Sequence, residues 1–145
     1  MKLVVQRVSR AKVSANGTLA GKIGKGLFVL VGIKKGDTKE NADYLAKKLL
    51  KLRVMADAND KMNLSVSDAK AEILVVSQFT LYANTNDGNR PSFLEAESPD
   101  SAEKLYNYFV NKLKESGLNV QTGSFGEYMM INTELDGPVT IILES

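Results

Sequence analysis

Ile73-Leu74-Val75-Val76-Ser77-Gln78-Phe79-Thr80-Leu81 begins as a strand and changes character halfway along. Four consecutive apolar residues fit a strand covered on both faces, and Ser77, Gln78 and Thr80 then place hydroxyls and an amide where such a strand would keep Val or Ile. No turn residue intervenes. An unpaired buried polar group costs about 1–3 kcal/mol, so the cluster is either a self-satisfied strand end or part of a pocket that a ligand completes. The chemistry of the stretch leaves both readings open, because Ser and Thr hydroxyls readily bond nearby backbone.

On the N-terminal side of this strand, Lys2 to Arg10 reads as a largely buried first strand, with Arg7 pointing off its face. Ala11 to Ala15 and Thr18 to Ile23 flank Asn16-Gly17, the dipeptide best suited to a type I′ hairpin because both residues accept positive φ. Leu27 to Val31 is a central strand. Asp37-Thr38 then offers a cap, and Ala42, Leu45, Ala46, Leu49 and Leu52 recur at helical spacing up to about Arg53. A short strand, an Asn59-Asp60 turn and Met62-Asn63-Leu64 follow.

On the C-terminal side, a polar loop from Asn84 to Asn89 leads to Pro91. Ser98-Pro99 starts a second helix, with Ala102, Leu105, Tyr106, Phe109, Val110 and Leu113 as its apolar stripe and Gly117 as its stop. Asn119 to Thr122, Tyr128 to Glu134 and Val139 to Glu144 are three further strands, broken at Gly123 to Gly126 and at Asp136-Gly137-Pro138. About eight strands and two helices, with several hairpins, favour an α+β fold on an antiparallel or mixed sheet.

The 145 residues suit one domain, 1–145, which at this size buries roughly two-thirds of its unfolded surface. An apolar content of 43% and a charged content of 25% are those of a globular protein, and no apolar run approaches the roughly 20 residues that span a bilayer. The start does not read as a signal peptide, so a cytoplasmic protein without membrane contact is expected. There is no Cys and no His. Disulfides, thiolate nucleophiles, the usual zinc sites and every Ser-His-Asp or Cys-His arrangement are thereby excluded, and neither a metal nor a cofactor is expected.

Charge is unevenly spread. Met1 to Gly36 holds no acid and eight cations, Lys2, Arg7, Arg10, Lys12, Lys22, Lys25, Lys34 and Lys35, so a whole-chain net of +2 leaves −6 on the remainder. Such a face suits a phosphate backbone, and solvated lysines guarding edge strands produce the same pattern.

Ser77-Gln78-Phe79-Thr80-Leu81 resembles the signature of the D-aminoacyl-tRNA deacylases, and Gly137-Pro138-Val139-Thr140 resembles a second signature of that family. The likeness extends to Gln6-Arg7-Val8, Lys61-Met62-Asn63, Arg90-Pro91-Ser92-Phe93 and Thr122-Gly123, and so spans the chain. The resemblance implies a curled, barrel-like, mostly antiparallel sheet with two main helices outside, assembled as a homodimer. It implies hydrolysis of the ester between a D-amino acid, or glycine, and the terminal adenosine of tRNA. Ser77, Gln78, Phe79 and Thr80 would form the catalytic segment. In the family the Gly137-Pro138 bond is cis and enters the partner's site, where its backbone would bar L-residues, and Arg7 would hold that loop. Leu135 stands where many members have Asn.

Without imidazole, two versions of the chemistry remain. Thr80 or Ser77 attacks or positions water, or the ribose 2′-hydroxyl assists attack while backbone N–H groups around Phe79 and Thr80 stabilise the oxyanion. The second is favoured, since neither hydroxyl has an obvious base. The readings that compete with a deacylase are a tRNA- or RNA-binding dimer without catalysis and a silent dimeric scaffold.

Overall fold

The computed structural model describes residues 1–86 and 88–145. Within the polar loop expected from Asn84 to Asn89, position 87 therefore lies outside the described residues.

Strands β1 (Lys2–Ala15) and β2 (Thr18–Ile23) form the expected hairpin, with φ of 49° at Asn16 and 76° at Gly17. The segment up to Arg10 and the first arm of the hairpin are one continuous strand. They read as two pieces because the buried face changes midway: Leu3 and Val5 join the core beneath the helices, whereas Val8, Ala11 and Val13 join a second core. Register irregularities opposite Arg7 and Ser9 absorb the change.

β3 (Gly26–Gly32) lies antiparallel on β1 and parallel to β6 (Glu72–Ser77), which is in turn parallel to β7 (Val120–Thr122). The long last strand, β8 (Met129–Glu144), runs antiparallel along β1, and short β4 (Met55–Ala56) and β5 (Met62–Leu64) pair separately. The order β2-β1-β3-β6-β7, with β8 also on β1, curls until β2 approaches β7. Gly21 permits that approach, since a Cβ there would stand 2.5 Å from the Thr122 carbonyl oxygen. The result is the α+β fold with a nearly closed, barrel-like mixed sheet.

Helices α1 (Lys39–Lys51) and α2 (Pro99–Lys114) cover the outside of this curl and make the crossovers β3 to β6 and β6 to β7. Asn41 Oδ1 accepts the Thr38 N–H at 2.8 Å and so satisfies one orphan donor at the start of α1. Leu45, Leu49, Phe109 and Leu113 are sealed against Leu27, Val29, Ile73 and Val75, each side chain contributing roughly 1.5–3 kcal/mol. Phe28, Leu74 and Val76 face the other way and fill the curl with Val8, Val13 and Ile23. Alternate residues of β3 and β6 thus enter both cores, which is why their sequences are unbroken apolar runs. Among the described residues no helix is long and apolar enough to cross a membrane.

Candidate functional site

The strand β6 ends at Ser77, and Gln78 caps a single 3₁₀ turn, Phe79–Tyr82. The Gln78 N–H still pairs with the Val31 carbonyl at 2.8 Å, so the turn starts from a fixed point on the sheet. Leu81 N–H then donates to the Gln78 oxygen at 3.3 Å and Ala83 N–H to the Thr80 oxygen at 3.0 Å. The N–H groups of Phe79 and Thr80 open the turn and, among the described residues, engage no backbone acceptor. Two adjacent free donors on a rigid floor are what a developing oxyanion requires.

The side chains agree with that picture. Phe79 is 57% exposed, with its ring edge-on to Phe93 at 5.0 Å between centroids. Thr80 is exposed, and its hydroxyl oxygen accepts from the Gln78 amide nitrogen. That partner is a donor and cannot take the hydroxyl proton. Tyr82 ends the turn, and burial, then the carboxylates of Asp37, Glu144 and Glu95, push its phenol up, away from any role as a base near neutrality. A polar cavity of about 430 Å³ lies beside the turn, lined by Leu81, Tyr82, Asn84 and Glu144 and not by Ser77 to Thr80.

Gly137 and Pro138 sit in β8, joined by a cis peptide, and Gly137 has φ of 133°. A Cβ at Gly137 would meet the Val139 nitrogen and Cγ2 at 2.9 Å, so this backbone excludes any other residue. Arg7 clamps the segment from the neighbouring strand. Its Nε donates to the Asp136 carbonyl at 3.1 Å and lies 3.1 Å from Asp136 Oδ2, while Nη1 donates to the Val54 carbonyl at 2.9 Å. The break expected at Asp136-Gly137-Pro138 is therefore no loop: β8 passes through it, with the pairing interrupted opposite Arg7. Val54 as an anchor for Arg7 gave no signal in the sequence, because a carbonyl acceptor carries no residue type.

The two motifs do not meet within the protomer. Ser77 is in the row Ser77, Val31, Leu3, Leu143 across β6, β3, β1 and β8. Pro138 lies five residues from Leu143 along β8, roughly 17 Å at strand spacing, and Ser77 is three strands away across the sheet. Both Gly137 and Pro138 are exposed, as are Met130, Ile131, Leu135 and Ile142 on the same strand.

Comparison with known proteins follows this layout. The family model described as D-Tyr-tRNA(Tyr) deacylase matches residues 4–144. A D-aminoacyl-tRNA deacylase of Thermosipho melanesiensis is 53% identical over 146 residues, covering 100% of this chain and 97% of the relative. The Aquifex aeolicus protein of the same name is 52% identical over 145 residues, covering 100% and 98%. Among solved structures, one called c-Myc DNA Unwinding Element Binding Protein superposes with a TM-score of 0.94 at 44% identity, covering 100% of this chain and 99% of the other. A probable eukaryotic D-amino acid tRNA deacylase gives a TM-score of 0.88 over 99% and 98% of the two chains, and its 17% identity makes it a likeness of fold.

Proposed function

The chain belongs to the D-Tyr-tRNA(Tyr) deacylase family, and from that premise we propose that it hydrolyses the ester of D-aminoacyl-tRNA, with chirality judged by backbone and not by a side-chain pocket. The chain is an enzyme of the ester-hydrolase kind. The observation that carries the finer reading is the pair of free N–H groups at Phe79 and Thr80, on a turn fixed to the sheet whose one titratable side chain, Tyr82, is held protonated by burial. These donors would hold the tetrahedral oxyanion, a single such donor being worth roughly 3 kcal/mol in known enzymes. The attacking oxygen would be that of water, assisted by the adjacent 2′-hydroxyl, and the ribose 3′-oxygen would leave as the hydroxyl of the free tRNA.

Selection would come from Gly137 and Pro138 of a second copy. Their distance from Ser77 in one protomer supports a site completed across an interface, and the exposed apolar residues of β8 supply a surface for it. A D-residue would turn its Cα hydrogen to that wall and its side chain to solvent, whereas an L-residue would drive its side chain into backbone. Leu135 is 45% exposed beside the wall, and the Arg7 contacts that hold Asp136 use backbone and carboxylate, so this departure from the family pattern leaves the clamp intact.

The test compares D-tyrosyl-, L-tyrosyl- and glycyl-tRNA with purified protein. D-tyrosyl-tRNA is expected to be cleaved, L-tyrosyl-tRNA spared, and glycyl-tRNA cleaved to a measurable degree, because glycine offers hydrogen at both Cα positions. Equal D and L rates would remove the chiral function; salt-sensitive tRNA binding with no cleavage would leave a binding protein. Inertness of glycyl-tRNA at high enzyme would mean that the site also needs the side chain.

Sedimentation checks the assembly. A symmetric dimer is expected, and Ile142→Glu, which puts a charge on the exposed apolar strand, should shift it to monomer and abolish D-selective cleavage together. A monomer that retains full selectivity would contradict the cross-subunit wall.

A further inference from the structure

We propose that the uncovered outer face where β2, β1 and β8 lie side by side, centred on Lys12 and Lys22, is a groove for the phosphate backbone of the tRNA; the inference rests on the deacylase reading. Lys12 is the direct cross-strand partner of Lys22 on one side and of Asn132 on the other. Ala11, Val13 and Ile23 are buried on the opposite face, inside the curl, so both lysine side chains leave the sheet on its outer face, where they are exposed. Like charges placed directly opposite one another destabilise a sheet. Yet among the described residues neither lysine is in an ion pair.

The acid nearest at hand is already committed. Glu134 Oε1 accepts from the Ser9 hydroxyl at 2.6 Å and Oε2 lies 2.6 Å from Arg10 Nη2, and these two partners, the Ser9 hydroxyl first, hold its carboxyl below the ordinary glutamate range. Arg10, Lys12, Lys22, Asn132, Thr133 and Glu134, with Ala11 and Ile23 at its floor, line a recess of about 480 Å³. Two ammonium groups side by side, with the Asn132 amide next in the same cross-strand row and no apolar side chain in that row to insert into lipid, fit phosphates spaced along a nucleic-acid strand.

The groove's place in the molecule fixes what would cross it. Asn132 and Pro138 are six residues apart on β8, roughly 20 Å of strand. If Gly137 and Pro138 of this protomer wall the partner's site, a tRNA whose 3′ end is in that site runs its acceptor stem over this face. The groove and the catalytic segment serving one tRNA thus belong to different subunits.

The experiment measures binding of uncharged tRNA between about 50 and 200 mM salt for the wild type, for Lys12→Gln/Lys22→Gln and, as a control on α1, for Lys47→Gln/Lys48→Gln. The groove variant is expected to show a log Kobs against log[salt] slope shallower by about 1.5–2, and at low salt a kcat/KM for D-tyrosyl-tRNA about tenfold lower. Its cleavage of D-tyrosyl-adenosine, which has no stem phosphates, should be unchanged, and its melting temperature no lower than wild type. An unchanged slope, an equal change in the control, or an equal loss on D-tyrosyl-adenosine overturns the groove. Failure of the wild type to cleave either ester overturns the deacylase reading instead, and the slopes on uncharged tRNA still decide the groove.

Discussion

A D-aminoacyl-tRNA esterified on the 3′-hydroxyl of a 2′-deoxyadenosine terminus is expected to bind with unchanged affinity and to be hydrolysed at least about 10²-fold more slowly than the ribose substrate, the span that one well-placed acid–base group commonly supplies. The chain has neither His nor Cys, and no acid falls within Ser77 to Leu81 or Gly137 to Thr140. Thr80 accepts a hydrogen bond from an amide, and Tyr82 has its phenol pushed up by burial. Among the described residues no side chain of the site is therefore placed to take a proton at neutral pH, whereas the substrate's own 2′-hydroxyl lies beside the ester, where it can hydrogen-bond to the attacking water and relay its proton. Ser77→Ala and Thr80→Ala should each retain measurable activity. Binding has to be measured apart from turnover, with single-turnover rates. A deoxy substrate cleaved normally, together with a folded but inactive Thr80→Ala, would replace this mechanism with Thr80 as nucleophile or water-positioning group.

Replacing Arg7 with Ala is expected to cost roughly 2–4 kcal/mol of unfolding free energy and to raise L-tyrosyl-tRNA cleavage relative to D by about tenfold or more. The Arg7 side chain is only 11% exposed and its guanidinium bridges the Asp136 and Val54 carbonyls, so its loss strands two acceptors and frees the Asp136-Gly137-Pro138 segment at once. Arg7→Lys keeps a charge without the fork that reaches both carbonyls, and should fall between the two. Lys12→Ala, by contrast, should weaken tRNA binding and leave the L-to-D ratio alone. Denaturant unfolding and parallel rates on both enantiomers check the pair of effects. A proportional loss on D and L substrates would show that Arg7 does not position a chiral filter.

Both helices and the hairpin were legible because each depends on local rules: a cap followed by a 3.6-residue period, or two positive-φ residues between strands. Ser77 to Thr80 stood out for a related reason, polar groups interrupting an apolar run. The parallel pairings of β3, β6 and β7 were not legible, since a strand buried on both faces has no alternation to betray its neighbours and β7 is only three residues long. Nor was the continuity of β8 through Pro138. Proline normally ends a strand's pairing, and what carries the strand across is Arg7 on the adjacent strand, a contact 129 residues distant in sequence. The two motifs divide in the same way: their residues were visible in the sequence, whereas their separation exists only in the folded register.

That long-range register also orders the protein's own birth. Lys2 pairs with Glu144 and Arg7 reaches Asp136, so β1 leaves the ribosome early and waits for β8, which emerges after every other element. Helices, hairpin and the Ser77 turn are complete in sequence well before that moment. A chain interrupted short of β8 would carry the Phe79 and Thr80 donors without Gly137 and Pro138. Contacts of such sequence separation also place the protein among slow folders, whose exposed apolar strands await a distant partner. If Gly137 and Pro138 supply the chiral wall, discrimination would thus be the last property this protein acquires during synthesis.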